Sequence, residues 1–460
     1  MKLSIRLLTF FAVLTLPLIT LAKVHEFTLA NGLKLLVKED HRAPVMVSQI
    51  WYKVGSSYEH DGITGISHML EHMMFQGTKN LKPNEFSQII SAHGGEENAF
   101  TGRDYTAYFE QMTNDQLKVS FQLEADRMRN LVLKTKELDK ERQVVMEERR
   151  MRTEDNPNAL AYEHFNAVAF LSSPYHHPTI GWMSDIKAYD VTDLEAWYQK
   201  WYAPNNATVV VVGDVNPEEV YTLAKEYFGS LKPETIKSLK PQEEILQTGR
   251  REITVQAPAK LPYLLLGWKV PVVKTATTDW KVYALEVLAG ILDGGSSARF
   301  SKELIRGNQV AAHVDVNYDL YARIKDQFII AGTPMQGHTI ADLEQAIWGQ
   351  IKRLQQEPVS QEELERIKNQ VVASKIFEQD SMFFQAMQLG LLTTVGLDWQ
   401  LADSYVDRVQ AVTPEQIQAV AKEFLLESQL TRGELVPLPI KPGEELHQTP
   451  LRNKGGRHVS

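Results

Sequence analysis

A chain of 460 residues, 43% of them hydrophobic, can bury more than one core, which sets two or three domains as the starting expectation. Its 58 acidic and 49 basic residues are interspersed and sum to a formal charge of −9. No basic stripe is left to follow a phosphate backbone, which argues against nucleic-acid binding.

Residues 1–22 have the three-part form of a secretory signal: Lys2 and Arg6, an apolar run from Leu7 to Ala22, and Thr20-Leu21-Ala22 as a cleavage site. The run is broken by Thr9, Thr15 and Pro17 and falls short of the ~20 residues that span a bilayer. Export to a periplasmic or similar compartment is therefore expected, with no stable transmembrane anchor. The chain has no cysteine, so there is no lipoprotein anchor. The rest alternates short β-rich runs with amphipathic helices, an α+β pattern.

The first informative element is Thr64–Phe75, where His68, Glu71 and His72 share one helical face at spacings of three and four. Thr64 or Ser67 is the expected N-terminal cap. Two histidines at i and i+4 can direct ring nitrogens to one ion at about 2.0–2.1 Å, a geometry zinc accepts. Glu71 then sits beside the metal as the catalytic base, taking a proton from activated water and passing it to the leaving amine. In a chain with 13 histidines, the five-residue pattern alone can also arise by chance.

Next, His93-Gly94-Gly95 followed by Asn98-Ala99-Phe100-Thr101 reads as a turn into an edge strand, to which an extended peptide could add. Glu137–Glu154 reads as a long helix on which Glu141, Val144 or Val145, and Glu148 form one stripe. A carboxylate in such a stripe needs a partner or an ion, and the stripe does not say which of the two would be a ligand. His176 and His177 are adjacent, so their side chains are expected to diverge and serve only a loop. Thr208–Gly213 is a buried-strand run that closes a first domain, preceded by a helix around Asp193–Trp201.

The second block echoes the first. Glu137-Leu138-Asp139 with Gln143-Val144-Val145 recurs as Glu363-Leu364-Glu365 with Gln370-Val371-Val372, and Val191-Thr192 recurs as Val412-Thr413. Where the first copy has Glu141 and Glu148, the second has Lys368 and Lys375, so only the first is equipped for a metal. The expected organisation is a signal peptide 1–22, a metal-binding domain 23–232, a linker 233–249, a homologous inactive domain 250–440 and a polar tail 441–460.

Taken together, His68-x-x-Glu71-His72, Asn31-Gly32-Leu33, Val54-Gly55-Ser56, Phe75-Gln76-Gly77-Thr78, Asn98-Ala99-Phe100-Thr101, Glu141-Arg142-x-Val144-Val145-x-x-Glu148, Pro174-Tyr175 and Trp201–Ala207 resemble the inverted-motif zinc metallopeptidases of the pitrilysin, insulin-degrading-enzyme and mitochondrial-processing-peptidase type. The resemblance covers nearly the whole mature chain. It implies two homologous α/β-sandwich-like domains in a clamshell arrangement, and one Zn2+ per chain held by His68, His72 and Glu148 with Glu141 in support. It also implies peptide substrate held near Asn98, Ala99 and Phe100. Family members often carry an Arg and, seven residues later, a Tyr that bind substrate. Here Arg306 is followed by His313. Either His313 replaces the Tyr, or a second family subunit supplies the Arg/Tyr pair in a heterodimer; a homodimer is also compatible. The expectation is an exported zinc endopeptidase, with a non-enzymatic core or assembly subunit of the same fold as the alternative.

Overall fold

The computed structural model describes residues 23–440. The signal-like segment 1–22 and the tail 441–460 lie outside the described residues.

Six strands form the first sheet: β1 (Val24–Thr28), β2 (Lys34–Glu39), β3 (Val45–Tyr52), β4 (Glu96–Thr101), β5 (Thr106–Thr113) and β6 (Ala207–Gly213), in the order β1-β2-β6-β3-β5-β4. The valine run of β6 is buried along its whole length, as expected of a central strand covered on both faces. The second sheet holds β7 (Arg251–Pro258), β8 (Tyr263–Val270), β9 (Ala311–Tyr318), β10 (Asp326–Pro334) and β11 (Thr431–Leu438), in the order β7-β11-β8-β10-β9.

Leaving β1 aside, the two sheets have one topology. Each has a single parallel pair, β2 with β6 and β7 with β11, and the remaining neighbours are antiparallel in both. The helices follow suit. Thr135–Arg149 corresponds to Gln361–Gln379, and Val191–Trp201, capped by Asp190, corresponds to Pro414–Phe424, capped by Thr413. The duplication inferred from the short echoes is thus a duplication of whole α+β units.

Each half also lends a helix to the other. Helix Pro157–Ala169 packs on β7, β8 and β11, and helix Met382–Val395 packs on β3 and β6. The apolar faces explain the exchange: Phe165 and Ala161 join Val255, Leu265 and Leu435 in one core, while Ala386 and Leu389 join Leu36, Trp51 and Val210 in another. Both contacts rely on glycine. A Cβ on Gly267 would lie 2.6 Å from the Phe165 ring, and one on Gly390 would overlap the Trp51 indole.

Ion pairs close the seam between the halves. Arg103, in the β4–β5 turn, forks onto Asp326 at 2.9 and 2.5 Å. From the opposite side, Arg323 donates to Asp104 at 2.9 Å. Residues 233–249 contain no helix or strand, yet Glu244 accepts the backbone N–H groups of Leu171, Ser172 and Ser173, which ties this segment to the first half.

Candidate metal centre

Helix Ile66–Met73 is short and seated by its apolar face, with Ile66, Met69, Leu70 and Met73 all fully buried. Its N-terminus is not capped by Thr64 or Ser67, contrary to expectation. The Glu59 carboxylate accepts the backbone N–H groups of Gly65 and Ser67 at 2.7 and 2.9 Å, and Thr64 instead donates its hydroxyl to Asp185 at 2.6 Å. Glu59 precedes the helix by a loop, so no local capping pattern marks it. A carboxylate there also suits the positive end of the helix dipole.

The helix lies against Thr135–Arg149, which continues as a π turn over Arg150–Glu154. This contact brings the separated candidates together. Glu148 Oε2 is 3.7 Å from His68 Nε2 and 3.4 Å from His72 Nε2. Ligand atoms of His68, His72 and Glu148 all fall within 4.8 Å of one another. On the outer side of His72, Nδ1 lies 3.3 Å from Glu141 Oε2, and the other Glu141 oxygen accepts from Gln76 at 3.0 Å. Of the stripe residues, Val145 is buried and Val144 is half exposed, so the stripe runs through Val145.

The two glutamates differ in what they face. Glu148 faces the Nε2 atoms of both histidines, whereas Glu141 reaches only the far nitrogen of His72. A partner at that position fixes the ring's orientation and leaves Nε2 directed at the centre. Arg152, one turn beyond Glu148, donates to its other oxygen at 2.7 Å. The donor set of two imidazoles and one carboxylate fits zinc. Burial alone would raise the Glu148 carboxyl, but the His72 hydrogen bond and the charges of His68 and Arg152 hold it at about 2. Burial likewise disfavours charge on His72, yet Glu141 and Glu148 push its pKa up to about 9.

Glu71 projects from the same helix toward the first sheet, where the Thr101 hydroxyl at the end of β4 donates to its carboxylate. Loss of water pushes Glu71 up to about 7, with the Thr101 bond opposing the rise. A carboxyl near neutrality can both take and return a proton. The Thr101 link joins a strand to a helix 30 residues away in sequence, and no spacing rule signals it.

Strand β4 is the edge of the first sheet and pairs only with β5 among the described residues. Asn98, Ala99 and Phe100 therefore lie on a strand with one open side, and Ala99 and Phe100 are buried. Arg306 and His313 belong to the second half. Arg306 is exposed and donates to the Ser296 carbonyl, and His313, on edge strand β9, lies 3.0 Å from Asp315. His313 is in neither of the two metal-capable clusters among the described residues. The other cluster is Asp61, His176 and His177. The adjacent histidines were expected to diverge; their rings instead meet edge to face with centroids 4.2 Å apart. In the second half, Lys368 donates to the Gln410 carbonyl and Lys375 pairs with Glu378.

Residues 34–181 match the family described as insulinase (peptidase family M16), and residues 188–371 match the peptidase M16 inactive domain. The zinc protease PqqE of Helicobacter pylori is 36% identical over 353 residues, covering 76% of this chain and 78% of that protein. An uncharacterized zinc protease of Bacillus subtilis, YmxG, is 24% identical over 88% of this chain and 96% of its own. Among solved structures, a protease from Helicobacter pylori superposes with a TM-score of 0.85 at 32% identity, over 91% of this chain and 100% of that one. The first half of the periplasmic protease PqqL from Escherichia coli gives 0.75 at 19% identity, over 91% and 94%. No helix among the described residues is long and apolar enough to cross a membrane. With its duplicated fold, its inverted histidine motif and these relatives, the chain belongs to the insulinase (M16) family of peptidases.

Proposed function

We propose that this chain is an exported zinc metalloendopeptidase that hydrolyses extended or unfolded peptides. The observation that carries the reading is the convergence of His68, His72 and Glu148 beside Glu71, which is itself bonded to the last residue of an open-edged strand. His68, His72 and Glu148 would hold the ion, and Glu141 would orient His72. When bound, zinc supplies Lewis-acid chemistry: it polarises a carbonyl and makes water acidic near neutral pH. Glu71 accepts the proton of the attacking water and returns it to the leaving amine. An extended peptide adds to β4 through main-chain hydrogen bonds, alongside Asn98, Ala99 and Phe100, which brings its backbone toward Glu71.

Arg306 and His313 stand where the family pattern has Arg and Tyr, and we assign the missing hydroxyl to a second family subunit. In length, this chain matches 49% of the whole PqqL chain and 94% of its first half, the size of one half of that larger protein. The pattern of residues 1–22 supports export.

Elemental analysis and peptide cleavage on the same preparations test the proposal. The wild-type protein, assayed together with any partner subunit that co-purifies, is expected to carry zinc at this site and cleave an unfolded peptide, and His72→Ala and Glu148→Gln to lose both. Retention of the site's zinc and of activity in either variant would overturn the ligand assignment.

A further inference from the structure

The peptidase reading leaves one cluster of ligand-type side chains unused. Asp61 sits in the loop that leads from β3 into helix Ile66–Met73, and His176 and His177 end the short turn Pro174–His176. His177 is buried while Asp61 is almost fully exposed, and His177 Nε2 lies 3.2 Å from Asp61 Oδ1. Two ligands of one tetrahedral ion are separated by about 3.4 Å when each bond is about 2.0–2.1 Å. Ligand atoms of Asp61, His176 and His177 all lie within 4.8 Å of one another, the same bound met by His68, His72 and Glu148.

Neighbouring residues seldom share an ion because their side chains diverge. Here the chain leaves the turn at this point: His177 is already extended, with φ −70° and ψ 128°. The two rings stand at 77° to each other, which lets nitrogens of both approach one point. His176 Nδ1 is buried and has no hydrogen-bond partner among the described residues.

We propose that Asp61, His176 and His177 form a second site for a divalent transition metal of the zinc class. The N,N,O donor set selects zinc, cobalt, nickel or copper over calcium or magnesium. Its place gives it a structural task. It would clamp the loop before the histidine helix to the 174–177 turn; four residues beyond that turn, Gly181 already packs tightly against Gly65. With Asp61 in solvent, the ion enters and leaves more readily than at the first site.

The test uses full-length protein stripped with chelator and dialysed against zinc, with metal per chain read by elemental analysis. Wild type is expected to bind two equivalents at saturation. His176→Ala and Asp61→Asn, both solvent-reachable positions, are expected to bind one. His68→Ala/His72→Ala is expected to keep one equivalent, and its Tm to rise by about 3 °C at a hundredfold excess of zinc over Kd. That rise should vanish when His176→Ala is added. Saturation of wild type at one equivalent, or survival of the second in both His176→Ala and Asp61→Asn, would show an ordinary ion pair only and overturn the proposal. If wild type binds one and His68→Ala/His72→Ala binds none, the second site alone falls and the peptidase site stands.

Discussion

Thr101, the last residue of edge strand β4, donates its hydroxyl to the Glu71 carboxylate on the histidine helix. The strand proposed to receive substrate and the group proposed to move the proton are thereby one mechanical unit. Thr101→Val keeps the shape and removes the donor. A hydrogen bond to a charged group contributes about 1.5–3 kcal/mol, so kcat should fall at least about tenfold with KM little changed. Steady-state kinetics on an unfolded peptide checks this, and an unchanged kcat would detach Thr101 from the chemistry.

The forked pair Arg103–Asp326 spans the seam between the halves. Asp326 is buried, so removing Arg103 strands a carboxylate beneath the surface. Arg103→Met should cost about 3 kcal/mol in urea denaturation, and Arg103→Met with Asp326→Leu should recover part of that loss. Equal stability of wild type and Arg103→Met would show that the pair does not hold the seam.

Gly390 lets helix Met382–Val395 approach the Trp51 ring on the opposite half's sheet. Gly390→Val overpacks this contact and should lower stability by about 1–3 kcal/mol. Adding Trp51→Phe, which shortens the opposing ring, should soften the penalty. Thermal unfolding of the two variants measures both effects.

In the second half, Glu286 accepts from Tyr405 at 3.3 Å, and burial pushes its carboxyl from 4.5 up to about 7. The folded chain thus holds that proton more tightly than the unfolded one. Its stabilising contribution is complete below about pH 4.5 and is lost as pH rises toward 7. Glu286→Gln should remove this slope, flattening the stability difference between pH 4.5 and 7.5 by on the order of 3 kcal/mol. Urea titrations across that range, wild type against variant, provide the comparison.

Much of the site could be read before the fold. His68, Glu71 and His72 are legible because helical spacing alone puts them on one face. Glu141 and Glu148 share a stripe as well, so periodicity could not rank them, and the ranking needed either the family resemblance or the observed contact of Glu148 with both histidines. The strand–helix bond of Thr101 and the distant cap from Glu59 depend on tertiary placement, which no local pattern encodes. The duplication was visible in short echoes, whereas the exchange of helices between halves was not. An amphipathic helix such as Pro157–Ala169 declares that it has an apolar face, not which sheet receives it. His176 and His177 failed for a related reason: adjacency predicts divergence only while the backbone stays regular, and theirs changes conformation between them.

Glu71→Gln is the decisive variant for the proposed chemistry, because it keeps the helix, the histidines and Glu148 while removing the group that moves the proton. Zinc content and hydrolysis of an unfolded peptide should be measured on one preparation, together with any partner subunit that co-purifies. Zinc is expected to be retained at the wild-type ratio, and turnover to fall by at least about a hundredfold, if Glu71 moves the proton. Undiminished hydrolysis by Glu71→Gln would contradict that role.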